Sequence, residues 1–141
     1  MDKELCIIGY VESSLTSKDE APKMEDENAP QAMVRIDPVY RAAMQNLAPG
    51  DDVILLTWLH EANRSYLQVH PRGDVHREKR GVFSTRSPDR PNPIGIHRVT
   101  LLAVDNGEEP SILVDGIEAL NGTPVLDIKP VARTYRSDEE L

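Results

Sequence analysis

The sequence predicts a mainly β protein: a small antiparallel β-barrel with one short helix, in a single domain covering residues 1–141. Three observations carry this expectation. Short runs rich in β-branched residues, with apolar and polar positions alternating, recur along the chain between turn signals. Only one stretch carries helix signals. Strands do not alternate with helical patterns, which excludes the doubly wound fold of most nucleotide-dependent transferases and dehydrogenases. A chain of 141 residues and 15.8 kDa suits one compact domain and buries a core without disulfide or metal staples.

Taken in order, the first strand is "LCIIGYVES" (5–13), whose Cys6 reads as a small core residue. Residues 14–30, "SLTSKDEAPKMEDENAP", are polar, acidic and proline-containing, and read as a flexible acidic flap. "QAMVRID" (31–37) is the second strand. "PVYRAAMQNLAPG" (38–50) is the helix: Pro38 suits a first helical position, Ala42 and Ala43 favour helix, and "APG" stops it. Strands follow at "DDVILLTWLH" (51–60), "SYLQVHP" (65–71), "GVFSTR" (81–86), "IGIHRVTLLAVD" (94–105), "SILVDGIEAL" (111–120) and "PVLDIKP" (124–130). So many short strands imply a closed sheet. Residues 136–141, "RSDEEL", read as a frayed tail.

Composition narrows the class. No window approaches the roughly 20 apolar residues of a membrane span, and the N-terminal apolar run is too short for a signal peptide. A single cysteine gives no disulfide framework and fits a cytoplasmic setting. The net charge of −8 argues against a protein that holds nucleic acid by bulk charge. The distribution is uneven, however. Between residues 60 and 98 stand eight basic and four acidic side chains, so that stretch carries +4 and the remainder −12. Seven of those eight are arginines: Arg64, Arg72, Arg77, Arg80, Arg86, Arg90 and Arg98, with Lys79 the exception. Arginine makes planar, bidentate contacts to carboxylate and phosphate, which favours a binding surface here.

Within that island, "GVFSTRSPDRPNPIG" (81–95) is the most specified stretch. Prolines at 88, 91 and 93 fix their own φ and bias Ser87, Arg90 and Asn92 toward extended backbone. A loop ordered during folding loses little entropy on meeting a ligand. Arg86 and Arg90 offer donor forks, Asn92 a donor and an acceptor, and Gly95 permits close approach. The alternative is a tight structural link between two strands. A second stretch is "LNGTPVLDIKP" (120–130). Asn121–Gly122 marks a turn and Thr123–Pro124 locks its exit. Asp127 and Lys129 alternate with Leu126 and Ile128, so both charges share a face, either inside beside a ligand or outside in solvent. His60 ends an apolar strand and suits a ligand rim. A metal site from His60, His70 and His76 with Asp74 or Glu61 would need a spacing that matches no short metal signature. Walker-type, GxGxxG, GxSxG and HExxH motifs are absent.

The residues "GVFSTRSPDRPNPIGIHRVTLL" and "GIEALNGTPVLDIKP", together with "WLH", resemble the TsaA-like (TrmO) family over most of residues 51–131. The resemblance implies a small β-barrel that works as a homodimer, with S-adenosyl-L-methionine in the cleft between subunits. It implies methylation of N6 of N6-threonylcarbamoyladenosine next to the tRNA anticodon. It also implies a cofactor-binding set: Arg86, Ser87, Arg90 and Asn92 of the proline-locked loop, Ile96 on the strand after it, His60 and Glu61 beside it, and Thr123, Pro124, Val125, Leu126 and Asp127 closing over the cofactor. Pro22 and Lys23 of the flap match a family loop that reaches the same site. The acceptor nitrogen is urea-like and weakly nucleophilic, so a proton acceptor helps, and Asp127 is the candidate catalytic residue. The sequence departs from the family pattern at "APGDDVILL". Competing readings are a methyltransferase of the same fold acting on a small molecule, and a cofactor- or metal-binding module without catalysis.

Overall fold

A computed structural model of the chain describes residues 3–14 and 30–131. Within them lie eight strands: β1 (Gly9–Glu12), β2 (Ala32–Ile36), β3 (Asp52–Trp58), β4 (Gln68–Val69), β5 (Arg80–Gly81), β6 (Ile94–Asp105), β7 (Ser111–Val114) and β8 (Pro124–Pro130). Six of them close a barrel in the order β1-β2-β7-β6-β3-β8, and β4 with β5 forms a separate two-stranded ribbon. Every pairing is antiparallel. The flap, with Pro22 and Lys23, and the C-terminal tail lie outside the described residues.

Alternation in the sequence becomes inside and outside in the barrel. Val11, Val34, Ile36, Val53, Leu55, Val99, Leu101, Ile112, Val114 and Val125 fill the interior. Strand β6 is long enough to pair with β3 through its first half and with β7 through its second. Residues 115–120 leave β7 and supply buried Ile117 and Ala119 to the same core.

Several expectations change. The helix expected over 38–50 forms over Pro38–Met44, as a 3-10 helix. Asp37 caps it, its carboxylate accepting from the Val39 N–H at 3.1 Å, and it plugs the barrel with Met44 buried and Tyr40 and Leu47 against the core. Its short hydrogen bonds reach back three residues, as from Tyr40 N–H to the Asp37 carbonyl at 2.9 Å. The first strand begins only at Gly9, so Cys6 is exposed rather than core. Its side chain meets the Tyr40 hydroxyl, and that hydrogen bond holds the phenol above its usual pKa. The strand expected over 65–71 shrinks to two residues, and that over 81–86 to a pairing at Arg80–Gly81 followed by a 3-10 turn at Val82–Ser84. The strand expected over 111–120 ends at Val114. In each case apolar residues are present but the regular strand pairing is shorter than the pattern.

Candidate functional site

Register gathers the candidate residues. The pairs Glu12–Met33, Tyr10–Pro124, Thr57–Val125 and Trp58–Ile94 place the ends of β1 and β3 and the starts of β2, β6 and β8 at one end of the barrel. His60 and Glu61 follow β3, the 85–93 loop leads into β6, and the 121–123 turn leads into β8. Three separated stretches of sequence therefore emerge at a single end. A shallow concavity of about 670 Å³ also opens there, at the root of the flap, lined by Glu12, Ser13, Gln31, Met33 and Asn121 among others. None of the loop arginines lines it.

The proline-rich loop is braced from within. The Arg90 guanidinium donates to three backbone carbonyls, those of Val82, Thr85 and Ser87. Ser87 N–H donates to Thr85 Oγ1 at 3.2 Å, and Asp89 N–H donates to Ser87 Oγ at 3.2 Å. A second set ties the loop to the turn after β3. Arg64 Nε donates to the Pro91 carbonyl at 2.8 Å, Arg64 Nη2 to Asn92 Oδ1 at 3.2 Å, and Asn63 N–H to Asp89 Oδ1 at 2.8 Å. The same guanidinium stacks over Trp58, 5.0 Å from the ring centroid. Sequence reasoning counts Arg64 only as one more charge. Its role depends on a turn that returns it over Trp58, which no local signal announces.

Arg86 differs from its neighbours. It is exposed, and among the described residues its guanidinium has no hydrogen-bond or ion-pair partner. The loop thus spends Arg90 and Arg64 on its own shape and holds Arg86 outward. After β3, His60 Nε2 and Glu61 Oε2 stand 3.8 Å apart, both side chains partly exposed.

The two possible faces for Asp127 resolve through a bulge. Thr57 pairs with Val125 but Leu56 pairs with Asp127, so Leu126 is the extra residue. The bulge turns β8 over. Val125 points in, Ile128 packs on the core, and Asp127 and Lys129 face outward. Their charged groups lie 3.5 Å apart, and Asp127 Oδ1 also accepts from the Ile128 N–H at 2.9 Å. On this outer wall Leu56 stands between Asp127 and Ile96, and Trp58 beside Ile94. Ile94 and Ile96 are 45 % and 39 % exposed, an apolar strip unusual on a sheet's solvent face.

The inner wall near the same end is polar. Inward-facing His97 is buried, with Nε2 2.8 Å from Thr57 Oγ1. Gly95 makes room for them. A Cβ there would collide with Thr57 Oγ1 and come within 2.8 Å of His97 Nε2, so the close approach Gly95 permits is made by the protein's own side chains. His70 is also engaged, its Nδ1 donating to the Arg77 carbonyl at 2.8 Å.

A closed antiparallel barrel with its loops gathered in a crown at one end, an outward arginine and an apolar outer wall defines a small β-barrel domain with a candidate binding end. The model of the tRNA-methyltransferase O N-terminal domain matches residues 10–137. The chain belongs to that family. A Methanothermobacter thermautotrophicus relative named "Probable S-adenosyl-L-methionine-binding protein" is 42 % identical over 123 residues, covering 87 % of this chain and 85 % of its own. An Archaeoglobus fulgidus relative named "S-adenosyl-L-methionine-binding protein" is 36 % identical over 122 residues, 86 % of this chain and 84 % of its own. The crystal structure of TrmO from Pseudomonas aeruginosa superposes with a TM-score of 0.72 at 30 % identity, over 99 % of this chain and 61 % of that one. This chain therefore spans about three-fifths of the solved structure it matches.

Proposed function

We propose that the chain is an S-adenosyl-L-methionine-dependent methyltransferase acting on N6 of N6-threonylcarbamoyladenosine in tRNA, with the cofactor held at the crowned end of the barrel between two copies of the chain. The carrying observation is the braced loop that leaves Arg86 outward and unengaged in a chain matched by this family over residues 10–137.

The residues present fit such a cofactor. Arg86 offers a planar fork for its carboxylate. The turn through Thr123, Pro124, Val125 and Leu126 would border the adenine, Leu126 being the bulged residue without a partner in the β3 register. Ile96 offers an apolar wall, and Asp127, Glu61 and His60 line the rim. Ser87, Arg90 and Asn92 fix the loop that carries Arg86, and Pro22 and Lys23 belong to the same proposed set. When bound, the cofactor would supply an electrophilic methyl carbon, with its sulfur as the leaving group, for transfer to the acceptor nitrogen. The chain's own work is positioning and exclusion of water, which lower such a barrier without a covalent nucleophile. Asp127 receives the proton that the acceptor nitrogen loses. The partly exposed strip of Ile94 and Ile96 supports the homodimer, since a second copy would cover it.

Calorimetric titration with S-adenosyl-L-methionine tests the first half, with saturable binding below millimolar expected. Mass spectrometry of tRNA nucleosides from a strain lacking the gene tests the second, with loss of the methylated nucleoside expected. The net charge of −8 favours one other acceptor, a small molecule. Cofactor binding with an unchanged tRNA nucleoside profile would select it, and binding with no methyl transfer to any acceptor would leave a non-catalytic module.

A further inference from the structure

Residues 66–83 leave the barrel as an arm that the site described above does not use. The β4–β5 ribbon pairs Gln68 with Gly81 and Val69 with Arg80, and the Val82 N–H donates to the Leu67 carbonyl at 2.9 Å. The intervening loop is ordered by its own bonds, from His70 Nδ1 to the Arg77 carbonyl and from the Arg77 N–H to the Asp74 carbonyl at 3.0 Å. At the base, buried Val82 anchors the arm, and Arg90 grips its carbonyl.

Two independent features mark the arm's surface. Arg77, Lys79 and Arg80 are exposed, and among the described residues none has a hydrogen-bond or ion-pair partner for its side chain. They stand in a chain that is otherwise strongly acidic. Close by, Phe83 is 87 % exposed, and Tyr66 and Leu67 are 45 % and 69 % exposed. A phenylalanine left almost fully in water next to uncompensated cations is the pairing single-stranded nucleic acid uses. Cations track the phosphates and an aromatic ring stacks on an unpaired base.

We propose that this arm grips single-stranded RNA, with Arg77, Lys79 and Arg80 on backbone phosphates and Phe83 stacked on an unpaired base of the loop presented to the crown. The inference rests on the RNA-acceptor reading above and adds the surface that would hold that acceptor. An acidic peptide could satisfy the cations, but it carries no series of flat faces for Phe83. Charge complementarity and the bare ring together favour RNA.

The test uses the full chain with a synthetic RNA stem-loop and a blunt RNA duplex of the same length, with affinity read by fluorescence anisotropy over a series of salt concentrations. Replacing Arg77, Lys79 and Arg80 together by alanine should weaken binding to both RNAs. It should also flatten the slope of log affinity against log salt by about 2, at roughly 0.7 for each single-strand phosphate that is no longer neutralised. Phe83→Ala should weaken stem-loop binding at least about fivefold and leave duplex binding unchanged, because only an unpaired base can stack on the ring. These side chains are exposed, so melting temperature and S-adenosyl-L-methionine affinity should stay at wild-type values. Stem-loop affinity and salt slope unchanged in both variants would overturn the proposal. So would dissociation of the homodimer by Phe83→Ala, which would assign the ring to a protein contact. Wild-type binding to the stem-loop with the expected losses, but no methyl transfer to tRNA, would keep the arm and reject the enzymatic reading instead.

Discussion

Arg86 and Arg90 sit four positions apart in one loop and face opposite tasks. Arg90 is bound into the loop's carbonyls, whereas Arg86 has no partner among the described residues. Arg86→Ala should therefore leave the melting temperature within a degree or two of wild type. It should weaken S-adenosyl-L-methionine binding about ten- to a hundredfold, the scale of one hydrogen bond to a charged group. A domain that melts early, with binding merely following the fold, would show that Arg86 is structural. Arg90→Ala should behave the other way round. It strands three partly buried carbonyls, so it should cost about 1–3 kcal/mol on denaturant unfolding, and cofactor affinity should fall with the disordered loop. Arg90→Lys should not restore it, because an ammonium lacks the planar fork that spans several acceptors. Asp127→Asn removes the proposed proton acceptor without changing its size. Turnover should fall at least about a hundredfold while calorimetry still shows cofactor binding. Equal loss of both would make Asp127 a binding group only.

Among the elements, those with a partner along their whole length were legible and those without one were not. Strands β6 and β8 have the bounds that alternation predicts, 94–105 and 124–130. The segments 65–71 and 81–86 carry the same kind of pattern, yet they form the projecting arm, with Leu67 and Phe83 in solvent. Alternation reports which residues could share a face, not whether a neighbour exists to cover it. The outward placement of Asp127 was equally hidden, because one extra residue at Leu126 reverses the parity of β8 and no side-chain pattern encodes a bulge. The proline-locked loop was legible because its restraints are local, whereas its clamp by Arg64 depends on a distant turn. Gly95 shows how tightly β6 is fitted to β3. Gly95→Ala would press a methyl group into Thr57 and the His97 ring, and should cost about 1–3 kcal/mol by overpacking. Gly81→Ala is the matched control, since nothing lies within 4 Å of a Cβ there. Urea unfolding of the two variants compares them directly, and equal, small losses would mean that β6 can shift to accept the methyl.

At the scale of the whole molecule, the barrel buries its core completely but leaves an apolar strip on one outer wall. Ile94 and Ile96 lie there beside Leu56 and Trp58, next to the crown and within one strand of Asp127. In a monomer both isoleucines keep part of their apolar area in water, 45 % and 39 % exposed. A second copy covering the strip would remove that apolar area from solvent and supply the far side of a cleft in which a cofactor can be held dry. Ile94→Glu separates the two cases. The side chain is already 45 % exposed, so a carboxylate there should barely change the stability of one barrel. Burying that carboxylate between two copies without a partner would cost several kcal/mol, enough to shift a dimer to monomers at micromolar concentration. Sedimentation equilibrium should show that shift, and cofactor affinity should fall with it although the variant leaves Arg86 and the 121–127 turn untouched. If the variant stays dimeric and binds the cofactor normally, the strip is not the subunit interface. If wild type itself sediments as a monomer and still binds the cofactor tightly, one barrel alone forms the site.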